Sequence, residues 1–464
     1  MFRKPLVMVR IGYASGYWGD DPQALERLLD NLPSLDYVAM DYLAETTMAI
    51  LKRQYDEDES LGYARDFPEH VAGSLERLIA DDVTLLANAG GVNPEACRDA
   101  VFEVAESVDE PVTIAAVSGD DIYDRVPDLR QQGVPFENMD TGESFERIES
   151  DLASANAYLG AFPLVEALEA DPNLLITGRC VDAALVMAPL IHEFGWDADD
   201  LDRLASGAIA GHVLECGVQA TGGLYTDWQE VDFDRMGFPI AEVESDGDFV
   251  VTKPENTGGM VTTETVKEQL VYEIEDPTAY RLPDVTVDFT SLSLEQVGED
   301  RVAVTGCSGS EPTDSLKVTA LYSDGYKAQL LFLYSWPEAL GKARKAKEVI
   351  ERRLERADVD LEIETDFVGH DGAHPGVAPE PEEPNEIVLR MAVKADEKGP
   401  VHEFGKQAMP IATGGPPTWA PVESGRPKPR DVLAFWPCAV PKSEVSPTVT
   451  VETTTPEASV EAGD

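Results

Sequence analysis

The chain has 464 residues, 43% of them hydrophobic, and its 88 acidic against 36 basic residues leave a formal net charge of −52. That length predicts roughly three structural units of about 150 residues, with apolar material enough for a substantial core. No stretch approaches the roughly 18 uninterrupted apolar residues of a membrane span, MFRKPLVMVR lacks the long apolar run of a secretory leader, and no basic patch is present to neutralise phosphates, which argues against membrane, exported and nucleic-acid-binding proteins.

In chain order, the strand-like run VMVRIG (from Val7) leads through a Gly-rich loop to a helix beginning at PQALERLLDNL. DYVAMDYL follows from Asp36, then an amphipathic run from Glu45 toward Tyr55. VTLLANAGG from Val83 precedes a helix near Pro94, and VTIAAVSGDD starts at Val112. A helical segment is expected over Ala153 to Leu168, then NLLITGR from Asn173 and a helix from Val181 toward Phe194. Short apolar strands alternating with helices predict an α/β fold, a mostly parallel doubly wound sheet with helices on both faces.

From about Ala241 the pattern changes. A helix is expected at TTETVKEQLVYEI, then β-branched runs, with a hairpin at Asp324 and Gly325 between apolar stretches. A long helix follows Pro337, two strands LEIETDFVG and EIVLRMAVKA come next, and VLAFWPCAV closes the apolar material. The expected organisation is an α/β ligand-binding domain over 1–279, an α+β domain over 280–440 and an acidic disordered tail over 441–464, whose Thr, Pro and Glu content lacks apolar residues to order it.

In a sheet of this type ligands collect beyond the carboxyl ends of the strands, and several such ends carry Gly and polar residues. RIGYASGYWGDD places Ser15 in a turn where backbone can approach a ligand, although it lacks the dinucleotide glycine pattern. In NAGGVNP, Asn88, Gly90, Gly91 and Asn93 offer amides that could cradle a phosphate or carboxylate, or form an ordinary capped helix start. SGDD supplies Asp120 and Asp121, candidates for acid–base work or hard-cation binding, with a solvated turn as the bland reading. TGR supplies Arg179, followed by Asp182: a planar fork for a substrate anion, or a structural ion pair.

His212 stands three residues before Glu215, close enough on a helix to share a face, which suits acid–base chemistry or local packing better than a metal. His370, His374 and His402 carry no expected role. Tyr225 and Trp228 of GLYTDW could pack against an acyl chain and Lys253 of KPENTGG could bind an anionic group, or both loops could simply be packed. The five cysteines are widely separated without a CxxC pair, so free thiols are expected, and no signature specifies a metal or cofactor.

Several long strings in the same order carry a resemblance: WGDDPQALERLL, DYVAMDYLAETTMAIL, GYARDF, NAGGVNP, LLITGRCVDAAL, PLIHEFGW, AGHVLECGVQATGGLYTDW, KPENTGG and LVYEIEDPTAYRLPDVTVDFT. From about Val7 to the RPKPRDVLAFWP segment the sequence resembles the acyclic terpene utilisation AtuA family. The resemblance implies a soluble protein of acyclic terpene or branched acyl-CoA catabolism. It also implies a small AtuA-like domain marked by an SGDKG-type sequence, which is not found here and which a separate partner subunit would supply.

Acids occur in nearly every segment, so the charge is a property of the whole surface. Molar salt contracts the Debye length to about 3 Å and relieves the self-repulsion, which suits the cytoplasm of a salt-loaded cell. The functional expectation is an acyl-CoA or organic-acid enzyme, a lyase, hydratase or hydrolase, with a noncatalytic ligand-binding or assembly subunit as the alternative. The expected partners are a small acyl-CoA or organic-acid ligand and either a second copy of the chain or the separate small subunit.

Overall fold

The computed structural model describes residues 7–31, 34–370, 372, 376–377, 383–423 and 425–455; His374 and residues 456–464 lie outside the described residues. The fold is mixed α/β. Two compact units result, one from Met1–Arg147, Ser154–Ala320 and Trp436–Asp464, the other from Ile148–Ala153 and Leu321–Phe435. The division does not fall at residue 280.

The first unit is built on a ten-stranded sheet: β1 (Met8–Tyr13), β2 (Tyr37–Met40), β3 (Thr84–Ala87), β4 (Thr113–Ser118), β5 (Leu174–Thr177), β6 (Ile240–Glu244), β7 (Phe249–Thr252), β8 (Ser293–Gly298), β9 (Arg301–Thr305) and β10 (Thr448–Thr453). Its order is β8-β9-β7-β6-β1-β2-β3-β5-β4-β10. The five strands β1, β2, β3, β5 and β4 are mutually parallel. The flanking pairs are antiparallel, so the sheet is mixed rather than mostly parallel. The cause is local. Gly247 at φ 102 turns β6 back on β7, and Asp300 at φ 51 turns β8 back on β9, and such tight connections join only antiparallel neighbours.

β10 corrects the expectation of a disordered tail for its residues. Thr448 to Thr453 pair with Ser118 to Thr113, and the Thr454 hydroxyl accepts the Val112 amide at 3.0 Å. Composition alone understated this segment because the edge of β4 supplies the hydrogen-bond partners that a short β-branched run cannot supply itself. The helix expected over Ala153 to Leu168 is likewise two elements, a strand Leu152–Ala157 and a helix Phe162–Leu168. Ala-rich LASANA has helical propensity, but Ala157 N donates to Asp120 O at 2.7 Å and Ile122 N to Ala155 O at 2.9 Å, and tertiary pairing overrides the preference.

In the second unit, an antiparallel path runs in the order Glu362–Val368, Glu386–Ala395, Ser315–Ser335 and Trp419–Pro421 within a six-stranded sheet, in which Leu152–Ala157 and Arg430–Pro441 also pair with Ser315–Ser335. The expected hairpin at Asp324 and Gly325 is absent: one strand continues through both residues. Gly325 takes φ 76 against the Ala395 backbone, and from Tyr326 the ladder with Ala395 carries the strand onward. The helix Ala339–Arg356 buries Ala339, Ala343, Ala346, Ile350 and Leu354, a stripe at helical spacing, in a core with Leu330, Phe332, Leu389, Met391 and Phe404. Its opposite side carries ion pairs such as Lys345 with Glu348 at 2.8 Å. Ile350→Ala is expected to destabilise this unit by about 2–5 kcal/mol, seen as a lower denaturant midpoint. A change below about 1 kcal/mol would mean that the stripe is not the unit's core.

Among the described residues no helix is long and apolar enough to cross a membrane.

Candidate functional site

The parallel strands β1 to β5 are almost wholly buried, and their sequences admit few polar side chains until the chain leaves the sheet. The first polar residues therefore appear together beyond the carboxyl ends: Ser15 after β1, Asp41 after β2, Asn88 after β3, Asp120 after β4 and Arg179 after β5. All five are buried.

Asn88 joins two of these ends. Its amide donates to Asp41 Oδ1 at 2.7 Å, and its oxygen accepts the Tyr42 N–H at 2.7 Å. Asp41 Oδ1 also accepts the Leu43 N–H at 2.8 Å, while Ser15 Oγ lies 3.0 Å from the carbonyls of both Asp41 and Tyr17. Burial and the neighbouring Asp182 charge raise the Asp41 pKa well above the usual carboxylate range, against the pull of Arg179.

Arg179 is the centre of the cluster. Nη1 donates to the Leu43 carbonyl at 3.2 Å and pairs with Asp182 Oδ1 at 2.9 Å, and the guanidinium lies 4.1 Å from the Tyr158 ring centroid. Tyr158 donates to Glu45 Oε1 at 2.6 Å and receives the Thr319 hydroxyl at 2.9 Å, and Lys317 stands 3.4 Å from the same Glu45 oxygen. Burial works to raise the Glu45 pKa, yet the Tyr158 hydrogen bond and the Arg179 and Lys317 charges hold it down to about 2. Arg179 Nε and the Tyr13 hydroxyl are among the buried atoms without a hydrogen-bond partner in the described residues, as is Thr177 Oγ1 at the end of β5. Tyr13 lies in the field of Asp41, Glu215 and Asp182, which together with burial raise its pKa. Unlike these buried donors, the Asp182 side chain is 36% exposed and gives the cluster a solvent-facing side.

The Asp120 and Asp121 pair separates. Asp121 is exposed and caps Tyr123 N at 2.9 Å, whereas Asp120 Oδ2 accepts from Asn156 Nδ2 at 2.9 Å and from the Arg179 amide at 3.1 Å. Burial pushes Asp120 up to about 7 despite those two bonds. Asp120 thus fixes the turn that carries Arg179. A similar buried acid, Asp284, accepts Ala161 N at 2.7 Å and is raised by burial to about 6.

The other expected residues fall outside the cluster or have internal partners. In NAGGVNP the amides of Gly90, Gly91, Val92 and Asn93 donate to Thr177 O, Asn88 O, Gly62 O and Gly90 O, so no anion cradle stands open there. The Asn93 side chain caps the helix Pro94–Ala105 through Ala96 N. His212 and Glu215, in the helix Leu201–Glu215, form a buried pair at 2.9 Å, and His212 Nε2 faces the Gln269 carbonyl at 3.1 Å beside the rings of Tyr280 and Phe289. Burial opposes its charge, but Glu215 raises the His212 pKa. Lys253 is held by Thr257 O at 3.0 Å and Asp300 at 3.1 Å, within its own region. Tyr225 is buried, and Trp228 is 58% exposed. No group of three His, Cys, Asp or Glu able to hold a metal occurs among the described residues, whose five cysteines are free.

Sequence reasoning missed Tyr13, Asp41, Glu45, Tyr158 and Lys317. Asp41 carried a readable signal, the first acid after the apolar run YVAM; Tyr158 and Lys317 carried none, since they reach Arg179 and Glu45 from distant parts of the chain.

A model of the acyclic terpene utilisation family protein AtuA matches residues 9–451. No curated protein and no solved structure matches the chain. The family match spans nearly all of the ten-stranded sheet and every residue of the strand-end cluster, and the chain belongs to the acyclic terpene utilisation AtuA family.

Proposed function

We propose that the chain is an enzyme of acyclic terpene utilisation that acts on an organic acid or acyl compound, by lyase, hydratase or hydrolase chemistry at the Arg179 cluster. The observation that carries this reading is the pair of buried donors, Arg179 Nε and the Tyr13 hydroxyl, left without partners amid acids. Buried polar atoms are rarely left unpaired, and a guanidinium N–H and a phenol O–H suit a carbonyl or carboxylate oxygen. Asp41 and Glu45 differ in the direction of their pKa shifts, the arrangement that separates a proton-bearing acid from an ionised one. In this reading Arg179 and Tyr13 hold the substrate oxygen and Asp41 supplies a proton. Glu45 and Lys317 keep Tyr158 against the guanidinium. Asn88 and Asp120 position the loops. The net charge of −52 supports a salt-loaded cytoplasm as the setting.

The test is turnover of a panel of acyl-CoA thioesters and branched or hydroxy organic acids in about 1 M KCl, where surface repulsion is screened. Arg179→Lys keeps the charge but loses the planar fork, and should lower kcat/KM at least about 100-fold on whichever substrate the unaltered chain converts. Folded protein that converts none of the panel would move the reading to a noncatalytic binding or assembly subunit.

A further inference from the structure

A separate cavity of about 220 Å³ opens between the segment Gln219 to Tyr225 and the helix Thr263–Leu270 with the residues that follow it. Its existence follows from two local features. Gly222 at φ 103 turns the chain tightly, and at Gly223 a Cβ would stand 2.9 Å from the Val218 carbonyl, so a loop of larger residues could not fold back this way. On the facing helix, Thr265, Glu268 and Gln269 lie at i, i+3 and i+4 and share one side, which the reciprocal cap of Thr262 and Thr265 holds in place.

The wall selects for charge. Two phenol rings, Tyr225 and Tyr272, line it together with the carboxylate of Glu268, and among the described residues no Lys, Arg or His does. One Glu268 oxygen is fixed by the Thr226 amide at 3.0 Å. Gln269 is buried and its Nε2 donates to the His212 carbonyl at 2.8 Å, while its Oε1 has no hydrogen-bond partner among the described residues. An unpaired buried acceptor calls for an N–H or O–H donor. Around Tyr225, burial and the charges of Asp227, Glu230, Glu264 and Glu268 all disfavour a further negative charge. Leu224 of the lining is 81% exposed, and Trp228 stands in solvent nearby in sequence.

Aromatic faces, one carboxylate and an acceptor-only amide oxygen suit a cation that is bulky, weakly hydrated and able to donate a hydrogen bond. A hard metal ion fits poorly, since it asks for six or more oxygen ligands and the wall supplies a single carboxylate. The volume lies below the roughly 300–1,000 Å³ of drug-sized ligand pockets, which restricts the occupant to a small molecule. We propose that this cavity is a binding site for a small organic ammonium ion bearing a hydroxyl or N–H donor. The cationic head rests against Tyr225, Tyr272 and Glu268, and the donor reaches Gln269 Oε1. The site is distinct from the Arg179 cluster and does not depend on the reaction performed there.

The experiment is titration of the full chain with choline and with ethanolammonium by calorimetry and ligand-observed NMR, in about 1 M KCl so that diffuse attraction to the acidic surface is screened. The uncharged isostere of choline, 3,3-dimethylbutan-1-ol, is the control. Saturable binding of at least one cation is expected, with the isostere about tenfold weaker than choline if choline is the ligand taken. Glu268→Gln keeps the acceptor for Thr226 N and removes the charge, and Tyr272→Leu removes one ring at a partly exposed position. Each should weaken cation binding about fivefold while leaving the melting temperature unchanged. Absence of saturable binding by both cations, equal binding of choline and its isostere, or indifference of affinity to both substitutions would overturn the proposal.

Discussion

Gly178→Ala is expected to destabilise the first unit by about 3 kcal/mol and to abolish whatever function the Arg179 cluster performs. The added methyl would stand 2.4 Å from Asp120 Oδ1 and 2.9 Å from its carboxyl carbon. The backbone conformation is not at issue, because Gly178 does not have a positive φ. What matters is that Asp120 cannot swing aside: Asn156 and the Arg179 amide hold its other oxygen, and the residue is buried. Relief must come by moving the turn between Thr177 and Arg179, which displaces the guanidinium from Tyr158 and Asp182. Urea denaturation of the variant measures the loss. Shortening the acid in Asp120→Ala/Gly178→Ala should give a total well below the sum of the single effects, since the two changes act on one contact. Simple additivity would mean that the close approach is not what requires glycine.

The second large effect is on pH dependence. Asp120, with an ordinary value near 3.8, is raised by burial to about 7 in the fold, and Asp284 to about 6. A native state that holds its proton more tightly than the unfolded chain gains relative to it as pH falls. Below about pH 4 both states are protonated and the groups contribute nothing; from there to about pH 7 the native state bears a growing desolvation penalty, complete above it. Stability of the unaltered chain should therefore fall by a few kcal/mol between about pH 4 and 7, with Asp120 one source beside Asp41, whose pKa burial also raises well above the carboxylate range. Glu45 acts in the opposite sense, but its contribution is lost only as pH falls below about 4 toward 2, outside this window. In Asp120→Asn the profile should flatten by a few kcal/mol while the Asn156 and Arg179 amides keep an oxygen to donate to. Urea melts at four pH values, at constant ionic strength, make the comparison; parallel profiles for the two proteins would show that Asp120 is not the titrating group.

Where the sequence was readable, the reason was local. Apolar runs such as TLLA and LLIT are too short and too uniformly buried to be anything but inner strands, and the polar residue after each marks the sheet's carboxyl edge, which made Asn88, Asp120 and Arg179 visible. The pairing of Arg179 with Asp182 was also legible, being three residues apart. Contacts closed by distant segments left no such trace. Tyr158 and Lys317 are separated from their partner Glu45 by more than a hundred residues, and LASANA is a strand because the distant Ser315–Ser335 strand pairs with it and Asp120 and Ile122 meet it. NAGG misled for the converse reason. Glycine pairs promise open amides, but Gly62, itself far away in sequence, accepts from the middle of that turn, and neighbouring carbonyls take the rest.

The pairing of β10 with β4 has a consequence for how the molecule is made. Residues 113–118 leave the ribosome more than three hundred residues before their edge partner at 448–453 is synthesised, and the whole second unit is translated in between. At about 5–20 residues per second the exposed flank of β4 waits on the order of half a minute with its amides unpaired. During that interval it presents an unpaired strand edge to other nascent chains, so the exposure to mispairing during synthesis is set by how soon residues 448–453 follow.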